Sequence, residues 1–346
     1  MIMYWCMFLL PALALLTPRR LPASQAKVAW VIVGAFFALI IGFRFEVGSD
    51  WFTYLNHFDM VAAMSFREAL SFKDPAYYGV SWIVSKLGGD KTWVNFVSAI
   101  CLMWGTVVFS RRQPLPWLAL LVAVPYMLIV VGMGYTRQGA ALGLALLALS
   151  ALGDGRLKRF VFFALAGATF HKSAVLLLPI AGLSASRNRL LTAALMVVAM
   201  IGTYFLLIES SADFLWQTYV GDQKQSEGGA VRVMMNAVPA VLFLLFRKRL
   251  VVDEEERKLW IWMSLFALAC IPMLAFASTA VDRIALYMIP LQMYVFSRLP
   301  GLARTTATRT PFVLAIIAYY AAVQFVWLNF AGHAGDWLPY RFAPFV

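Results

Sequence analysis

Residues 28–54 read VAWVIVGAFFALIIGFRFEVGSDWFTY. The run from 28 to 43 is apolar throughout, which predicts a helix in the membrane. Arg44, Glu46 and Asp50 follow at once, with glycines that bend the backbone and aromatic residues beside them. A helix that only had to end would not need both signs of charge. The stretch therefore predicts a polar site at the membrane surface, suited to an anionic substrate carried by lipid.

The composition sets the class of protein. The 346 residues are 62% hydrophobic and 13% charged, whereas soluble domains carry about 25% charged residues. We therefore expect an all-α integral membrane protein. The net charge of +12 does not indicate a nucleic-acid partner, because the basic residues lie in short loops between apolar spans. The three cysteines fall within apolar spans and predict neither a disulfide framework nor a thiol–metal site.

The apolar segments predict about twelve transmembrane helices in a single polytopic domain, 1–346. They are 2–16, 28–43, 92–110, 115–133, 138–152, 159–170, 174–184, 190–208, 231–247, 259–278, 284–298 and 311–330. Residues 1–16 lack a basic start and a cleavage site, so we expect a first, retained helix.

The distribution of charge predicts the orientation. The alternate loops 17–27, 111–114, 153–158, 185–189, 248–258 and 299–310, together with the helix-end residues Arg159, Arg247 and Arg298, hold 18 of the 29 basic residues and 5 of the 17 acidic ones. Because cytoplasmic loops are enriched in Lys and Arg, these loops are predicted to be cytoplasmic.

The stretch 159–184 is predicted to be a broken hairpin. Its two apolar pieces are each shorter than the ~20 residues that span a bilayer. One continuous helix would bury His171 and Lys172 in the middle of the membrane, at high cost. We expect these residues and Ser173 at the hairpin tip, toward the outer face.

Two longer segments are predicted on the outer face. Residues 44–91 contain an amphipathic stretch, 51–72, and an apolar piece, 77–87, both typical of interfacial or re-entrant helices. Residues 209–230 form a polar loop that is a candidate lid. The tail 331–346 is predicted on the same side.

With this topology the unusual polar clusters share one face. They are Arg44, Glu46 and Asp50; Arg137 and Gln138; His171, Lys172 and Ser173; Asp282 and Arg283, which open a helix that continues to Tyr287; and Asp336, Trp337, Tyr340 and Arg341. Arginine suits a diphosphate because its planar fork makes charge-assisted bonds and stays ionised. A nearby carboxylate, or His171, has the chemistry to accept a proton from a sugar hydroxyl.

Each cluster also has a purely structural interpretation. Arg44 is a candidate for snorkelling to lipid head groups, and Asp50 for capping the next helix. Arg137 has orphan helix carbonyls within reach as alternative partners. His171 with Lys172 fits a solvated tip, and Asp282 with Arg283 fits a cap plus an anchor. The Trp and Tyr residues near helix ends also fit an aromatic belt.

Other chemistries have weaker support in the sequence. There is no P-loop, no glycine-rich nucleotide fingerprint, and no Asp-x-Asp or His-rich metal set. We therefore predict no cofactor and no metal, because arginines can neutralise a leaving diphosphate. The spans are almost free of charge, which argues against a coupled transporter.

The sequence resembles bacterial oligosaccharide repeat-unit polymerases of the Wzy type, most closely the EpsG-like family. The matching motifs are GFRFEVGSDWFTY (42–54), GYTRQGAAL (134–142), ATFHKSAVLLLP (168–179), the Asp-Arg…Tyr element (282–287) and Trp-x-Pro-Tyr (337–340). They follow the family's order over most of the chain.

The resemblance implies a GT-C-like glycosyltransferase in the bacterial inner membrane, with its active site facing the periplasm. It would transfer a growing glycan from undecaprenyl diphosphate to the non-reducing end of another lipid-linked repeat unit. Chain-length regulator and flippase proteins would be its partners.

The resemblance also implies residue roles. Arg44, Arg137 and Arg283 would bind diphosphate, and Asp50 would be the base, with His171 as the alternative. The substrate pocket would include Tyr54, Gln138, Lys172, Ser173, Asp282, Tyr287, Trp337, Tyr340 and Arg341. Two further functions remain open: a lipid-linked glycan ligase or related GT-C transferase, and a non-enzymatic flippase of lipid-linked oligosaccharides.

Overall fold

The chain is described by a computed structural model that covers residues 1–17, 22–184, 189–203 and 228–346. In these ranges the secondary structure is helical, apart from one isolated β-bridge between Arg44 and Phe342. The helices are α1 (Ile2–Leu16), α2 (Ala23–Gly42), α3 (Trp51–Ala62), α4 (Phe66–Phe72), α5 (Pro75–Lys86), α6 (Lys91–Arg111), α7 (Pro116–Gly134), α8 (Thr136–Gly153), α9 (Leu157–Phe170), α10 (Leu178–Ser184), α11 (Arg189–Thr203), α12 (Gly229–Leu250), α13 (Glu254–Leu286), α14 (Ile289–Arg298) and α15 (Thr306–Phe330).

The described residues include six helices that are long and apolar enough to cross a membrane. These are α2, α6, α7, α12, the part of α13 from Glu254 to Phe276, and α15. Helix α1 and the segment Lys172–Ser184 are apolar but shorter. The prediction of an all-helical, multi-pass membrane protein is confirmed, and the total of twelve crossings stays a prediction.

The helices group into two compact units. Unit 1 contains Met1–Leu144, Thr169–His171 and Ala315–Val346, and unit 2 contains Ala145–Ala168 and Lys172–Leu314. The single polytopic domain stays a prediction, because helices of one domain can group in this way. Of the predicted outer loop 209–230, residues 209–227 lie outside the described residues.

Glycines allow the helices of unit 1 to pack closely. A Cβ added to Gly105 of α6 would lie 1.8 Å from the carbonyl oxygen of Gly143 in α8. A Cβ on Gly42, at the end of α2, would lie 2.5 Å from the Cα of Phe96 in α6. Small residues at such crossings bring helix backbones into van der Waals contact, which is the main attraction between helices in lipid. This packing fixes where the loop after α2 begins.

The segment between α2 and α6 is helical, as predicted, but its first part is divided. Ser65 and Glu68 form a reciprocal capping box that starts α4 after α3 has ended at Ala62. Pro75 stands in the first turn of α5, where its missing N–H costs nothing. The predicted interfacial position of these helices stays a prediction.

The predicted break in the stretch 159–184 is confirmed. Helix α9 ends at Phe170, His171 is non-helical, and a 3₁₀ segment, Lys172–Leu177, leads into α10. The position of the tip toward the outer face stays a prediction.

The prediction that Asp282 and Arg283 open a new helix is wrong. Both residues lie within α13, which continues without a break from Glu254 to Leu286. The segment 273–286 contains neither Pro nor Gly, so nothing in it stops the helix. The change of helix comes at Tyr287 and Met288, and Pro290 lies in the first turn of α14.

Candidate functional site

In unit 1 the C-terminal tail, 331–346, holds the motif that follows α2, 42–54, which we call the opening motif. Three backbone hydrogen bonds join them, from Phe45 N to Arg341 O (3.0 Å), from Gly48 N to Asp336 O (2.8 Å) and from Ala343 N to Phe43 O (2.7 Å). The Arg341 guanidinium also donates to the Glu46 carboxylate. At Gly48 the φ angle is +104°, and a Cβ would lie 2.4 Å from the Met133 carbonyl oxygen. The loop therefore needs both this glycine and the tail.

Two aromatic residues anchor the tail. Trp337 is 2% exposed, and its indole Nε1 donates to Ile129 O at 3.1 Å. The Tyr340 hydroxyl donates to Ile40 O at 2.8 Å. The belt interpretation is wrong for Trp337, because its side chain lies in the protein core. The sugar-pocket role of both residues stays a prediction.

Arg44 is 1% exposed, so the snorkelling alternative is wrong. Its Nη1 donates to Ile41 O (2.5 Å), its Nε to Val47 O (3.1 Å) and its Nη2 to Thr136 Oγ1 (2.7 Å). Burial lowers the pKa of Arg44 to about 10, which still leaves it protonated at neutral pH. Arg44 thus ties the end of α2 to the start of α8. Its diphosphate-binding role stays a prediction.

Asp50 occupies the N-cap position of α3, but its side chain makes no capping hydrogen bond. The carboxylate is half-buried and lies within electrostatic range of Lys91. Lys91 is 3% exposed, donates to Trp51 O at 2.5 Å and lies 3.4 Å from the centre of the Trp51 ring. The role of Asp50 as the base stays a prediction.

Arg137 forms the best-defined charged pair of unit 1. Its Nη1 lies 2.7 Å from Asp74 Oδ2, and the two side chains are 21% and 6% exposed. The guanidinium carbon lies 5.5 Å from the Tyr54 ring centre and 5.9 Å from that of Tyr78. The orphan-carbonyl alternative is not what the structure shows for Nη1, whose partner is a carboxylate. Gln138 is next to this pair in sequence and is 2% exposed.

A histidine and a lysine extend this cluster. Lys73 Nζ lies 3.3 Å from His57 Nε2, and the Tyr78 hydroxyl lies 3.1 Å from His57 Nδ1. An ammonium group only donates, so Nε2 must accept, and the Nδ1–H then donates to the Tyr78 oxygen. Burial, together with the charges of Lys73 and Arg137, lowers the pKa of His57 to about 4. The ring is therefore neutral at physiological pH.

Sequence reasoning missed several residues around Arg137 and Asp50. They are His57, Lys73, Asp74, Tyr78, Lys91 and Tyr77, whose ring packs against that of Tyr54. The Asp-Pro pair before an apolar, Tyr-rich stretch was an available signal for Asp74, because it marks a helix start. The pairing of that carboxylate with Arg137, 63 residues away, leaves no local signal.

Unit 2 contains a second ion pair. Arg232 Nε lies 2.6 Å from Asp282 Oδ1, and the side chains are 10% and 8% exposed. The cap-plus-anchor alternative is wrong for Asp282, because this residue lies inside α13 and pairs with α12. Asn236 Nδ2 donates to Ala285 O at 2.8 Å, and Asn236 Oδ1 accepts from Gln292 Nε2 at 2.6 Å. These polar contacts join α12, α13 and α14.

The predicted residues of the broken hairpin divide between the units. Ser173 Oγ donates to the Tyr287 hydroxyl at 3.1 Å within unit 2. Lys172 and Arg283 are half-buried in the same unit, and His171 is half-buried in unit 1. Phe170, beside His171, packs against the cluster that contains Tyr54 and Tyr78. A common pocket for Arg44, Arg137 and Arg283 stays a prediction.

Comparison with known proteins gives one match. A family model described as the EpsG family matches residues 27–342. No curated protein and no solved structure matches the chain.

Proposed function

The chain belongs to the EpsG family, and from this premise we propose that it polymerises lipid-linked oligosaccharide repeat units at the periplasmic face of the bacterial inner membrane. The growing glycan leaves undecaprenyl diphosphate and joins the non-reducing end of a second lipid-linked unit. Membership supports a multi-pass protein of polysaccharide biosynthesis. The reaction, the twelve-helix GT-C-like architecture, the orientation, and the partner flippase and chain-length regulator are parts of this proposal.

The observation that carries the proposal is the Arg137 cluster. Its guanidinium is partly exposed, lies between tyrosine rings and is paired with a carboxylate through only part of its fork. Tyr54 lies within electrostatic range of both Arg137 and Arg44. Such a site has the charge for a diphosphate and the aromatic surface that sugars pack against.

The proposed step is a displacement at the anomeric carbon. The acceptor hydroxyl oxygen forms the new glycosidic bond while the bond to the diphosphate oxygen breaks and its electron pair stays on the diphosphate. Arg137 stabilises the charge that develops there. The hydroxyl proton passes to the Asp50 carboxylate or, alternatively, to His171.

Substitution of Arg137 tests this function. In membranes that contain the intact protein, Arg137→Ala should lower the polymerisation rate about 10²- to 10³-fold, the usual cost of removing a donor to a developing oxyanion. Lipid-linked repeat units should accumulate. Arg67→Ala is the matched control, because Arg67 is an exposed arginine of α4. Long glycan from Arg137→Ala in normal amount would refute the proposal.

The same assay separates the alternative functions. With lipid-linked repeat units as the only substrates, a polymerase forms long chains, whereas a ligase needs a distinct acceptor. A flippase moves the oligosaccharide across liposomes without forming a bond. Asp50→Ala and His171→Ala, compared in this assay, identify the base by the larger loss of rate at equal protein level.

A further inference from the structure

The Asp74 carboxylate has two positions available to it. It now contacts Arg137 at 2.7 Å. Asp74 is also the N-cap residue of α5, with the extended backbone angles (φ −111°, ψ 100°) that such residues adopt, yet its side chain makes no capping hydrogen bond. Asp is among the strongest N-cap residues. The Asp74 carboxylate therefore pairs with Arg137 instead of capping α5.

Arg137 has donor capacity that Asp74 does not use. One Asp74 oxygen contacts Nη1, while the buried Nε has no acceptor among the described residues. A guanidinium presents five N–H donors in a planar fork, and a bidentate anion engages two of them side by side. Tyr54 also forms a hydrogen bond with the guanidinium, so Asp74 and Tyr54 together still leave the Nε donor available to an incoming anion.

We propose that Asp74 is an internal competitor for Arg137, which the lipid-linked diphosphate displaces and which then caps the first turn of α5. This inference rests on the proposed function and assigns Asp74 as its specificity-determining residue. In the capped state, the carboxylate accepts hydrogen bonds from the backbone N–H groups of Ala76 and Tyr77, the second and third residues of α5.

The competition explains how the site rejects ordinary membrane lipid. A phospholipid phosphodiester carries a single negative charge, whereas the diphosphate carries more charge and more acceptor oxygens. Only a ligand that binds Arg137 more strongly than Asp74 does can shift the equilibrium. Lys73, which contacts the neutral His57 ring, adds positive charge near the entering anion.

Binding of farnesyl diphosphate to the full chain in neutral detergent tests the proposal. Asp74→Asn removes the charge but keeps a good cap, so it should tighten binding about ten- to a hundredfold, the value of one charge-assisted hydrogen bond. Added phosphatidylglycerol should compete in this variant and not in the wild type. Asp59→Asn, an exposed carboxylate of α3, is the control and should change neither result.

Whether Asp74→Asn tightens or weakens the binding of farnesyl diphosphate decides between a competing and a positioning role for Asp74. If Asp74 only positions Arg137, Asp74→Asn weakens binding, and weaker or unchanged binding overturns the proposal. Absence of farnesyl diphosphate binding by the wild type also overturns it. Asp74→Ser, a second uncharged cap, repeats the measurement if the Asn variant unfolds. If Asp74→Asn binds more tightly but the wild type does not polymerise glycan, the competing role of Asp74 is supported and only the proposed function is refuted.

Discussion

The ion pairs Arg137–Asp74 and Arg232–Asp282 have the same chemistry and different surroundings. Each joins an arginine in the first turns of a helix to a largely buried aspartate. Arg137 is 21% exposed and lies beside tyrosines, whereas Arg232 is 10% exposed, in a unit where amide side chains link the same helices. The second pair holds helices together, whereas we propose that the first exchanges its carboxylate for a ligand. On this proposal, solvent access rather than residue type distinguishes a binding arginine from a structural one.

The largest effect is expected from a substitution that breaks the Arg232–Asp282 pair. Asp282→Ala leaves Arg232 buried without its carboxylate and should lower the free energy of unfolding by about 3–5 kcal/mol. Thermal unfolding in detergent measures this. The double variant Arg232→Met/Asp282→Leu should recover most of the stability, because burying an ion pair has a desolvation cost. Full stability of Asp282→Ala would contradict a structural role.

The next effect separates charge from geometry in the first pair. Arg137→Lys keeps the charge but loses the planar fork, so kcat/KM for repeat-unit polymerisation should fall about ten- to a hundredfold. The thermal unfolding temperature should stay near that of the wild type. If Arg137→Lys instead lowers the stability and the folded fraction has normal activity, the Arg137–Asp74 pair is structural like the Arg232–Asp282 pair. The contrast between the two pairs would then be wrong.

A smaller effect concerns the support of the first site. A Cβ at Gly134 would lie 2.5 Å from the Trp337 ring. Gly134→Ala should therefore destabilise the chain by about 1–3 kcal/mol, as overpacking does. Gly153→Ala is the control, since a Cβ there meets nothing within 4 Å. Equal unfolding temperatures for the two variants would show that the tail is loosely attached.

The smallest effect is a pH dependence that belongs to unit 1. The pKa of His57 in the folded chain is about 4, below its ordinary value of ~6.5. Between these values only the unfolded chain takes up the proton, so stability falls as the pH drops from 6.5 toward 4. His57→Gln should reduce the difference between unfolding temperatures at pH 7 and pH 5. An unchanged difference would assign the pH dependence to other groups.

Local signals in the sequence predicted much of the fold. Apolar length located α2, α6 and α7 within a few residues, and the short apolar pieces around His171 predicted the break there. The same reasoning failed at Asp282, where a charged pair suggested a loop although the backbone had no reason to leave the helix.

The partners of the site residues were harder to predict. Arg137 was predicted as a site residue, but Asp74 was not, and the buried state of Arg44 and Trp337 was missed. Pairing and burial depend on residues far apart in the chain. Trp337, for example, donates to Ile129, and the hydrogen bond spans 208 positions. Charge and aromatic character identify candidates, and only the fold shows which of them remain accessible.

The contact between the tail and the opening motif has a consequence for biosynthesis. Glu46 and Arg341 are 295 positions apart, so at about 5–20 residues per second the ribosome adds the second roughly 15–60 s after the first. During this time the loop that carries Arg44 and Asp50 lacks three backbone partners. A nascent chain therefore carries this loop before the residues that hold it in place have been made, and the loop takes its final form only when synthesis is nearly complete.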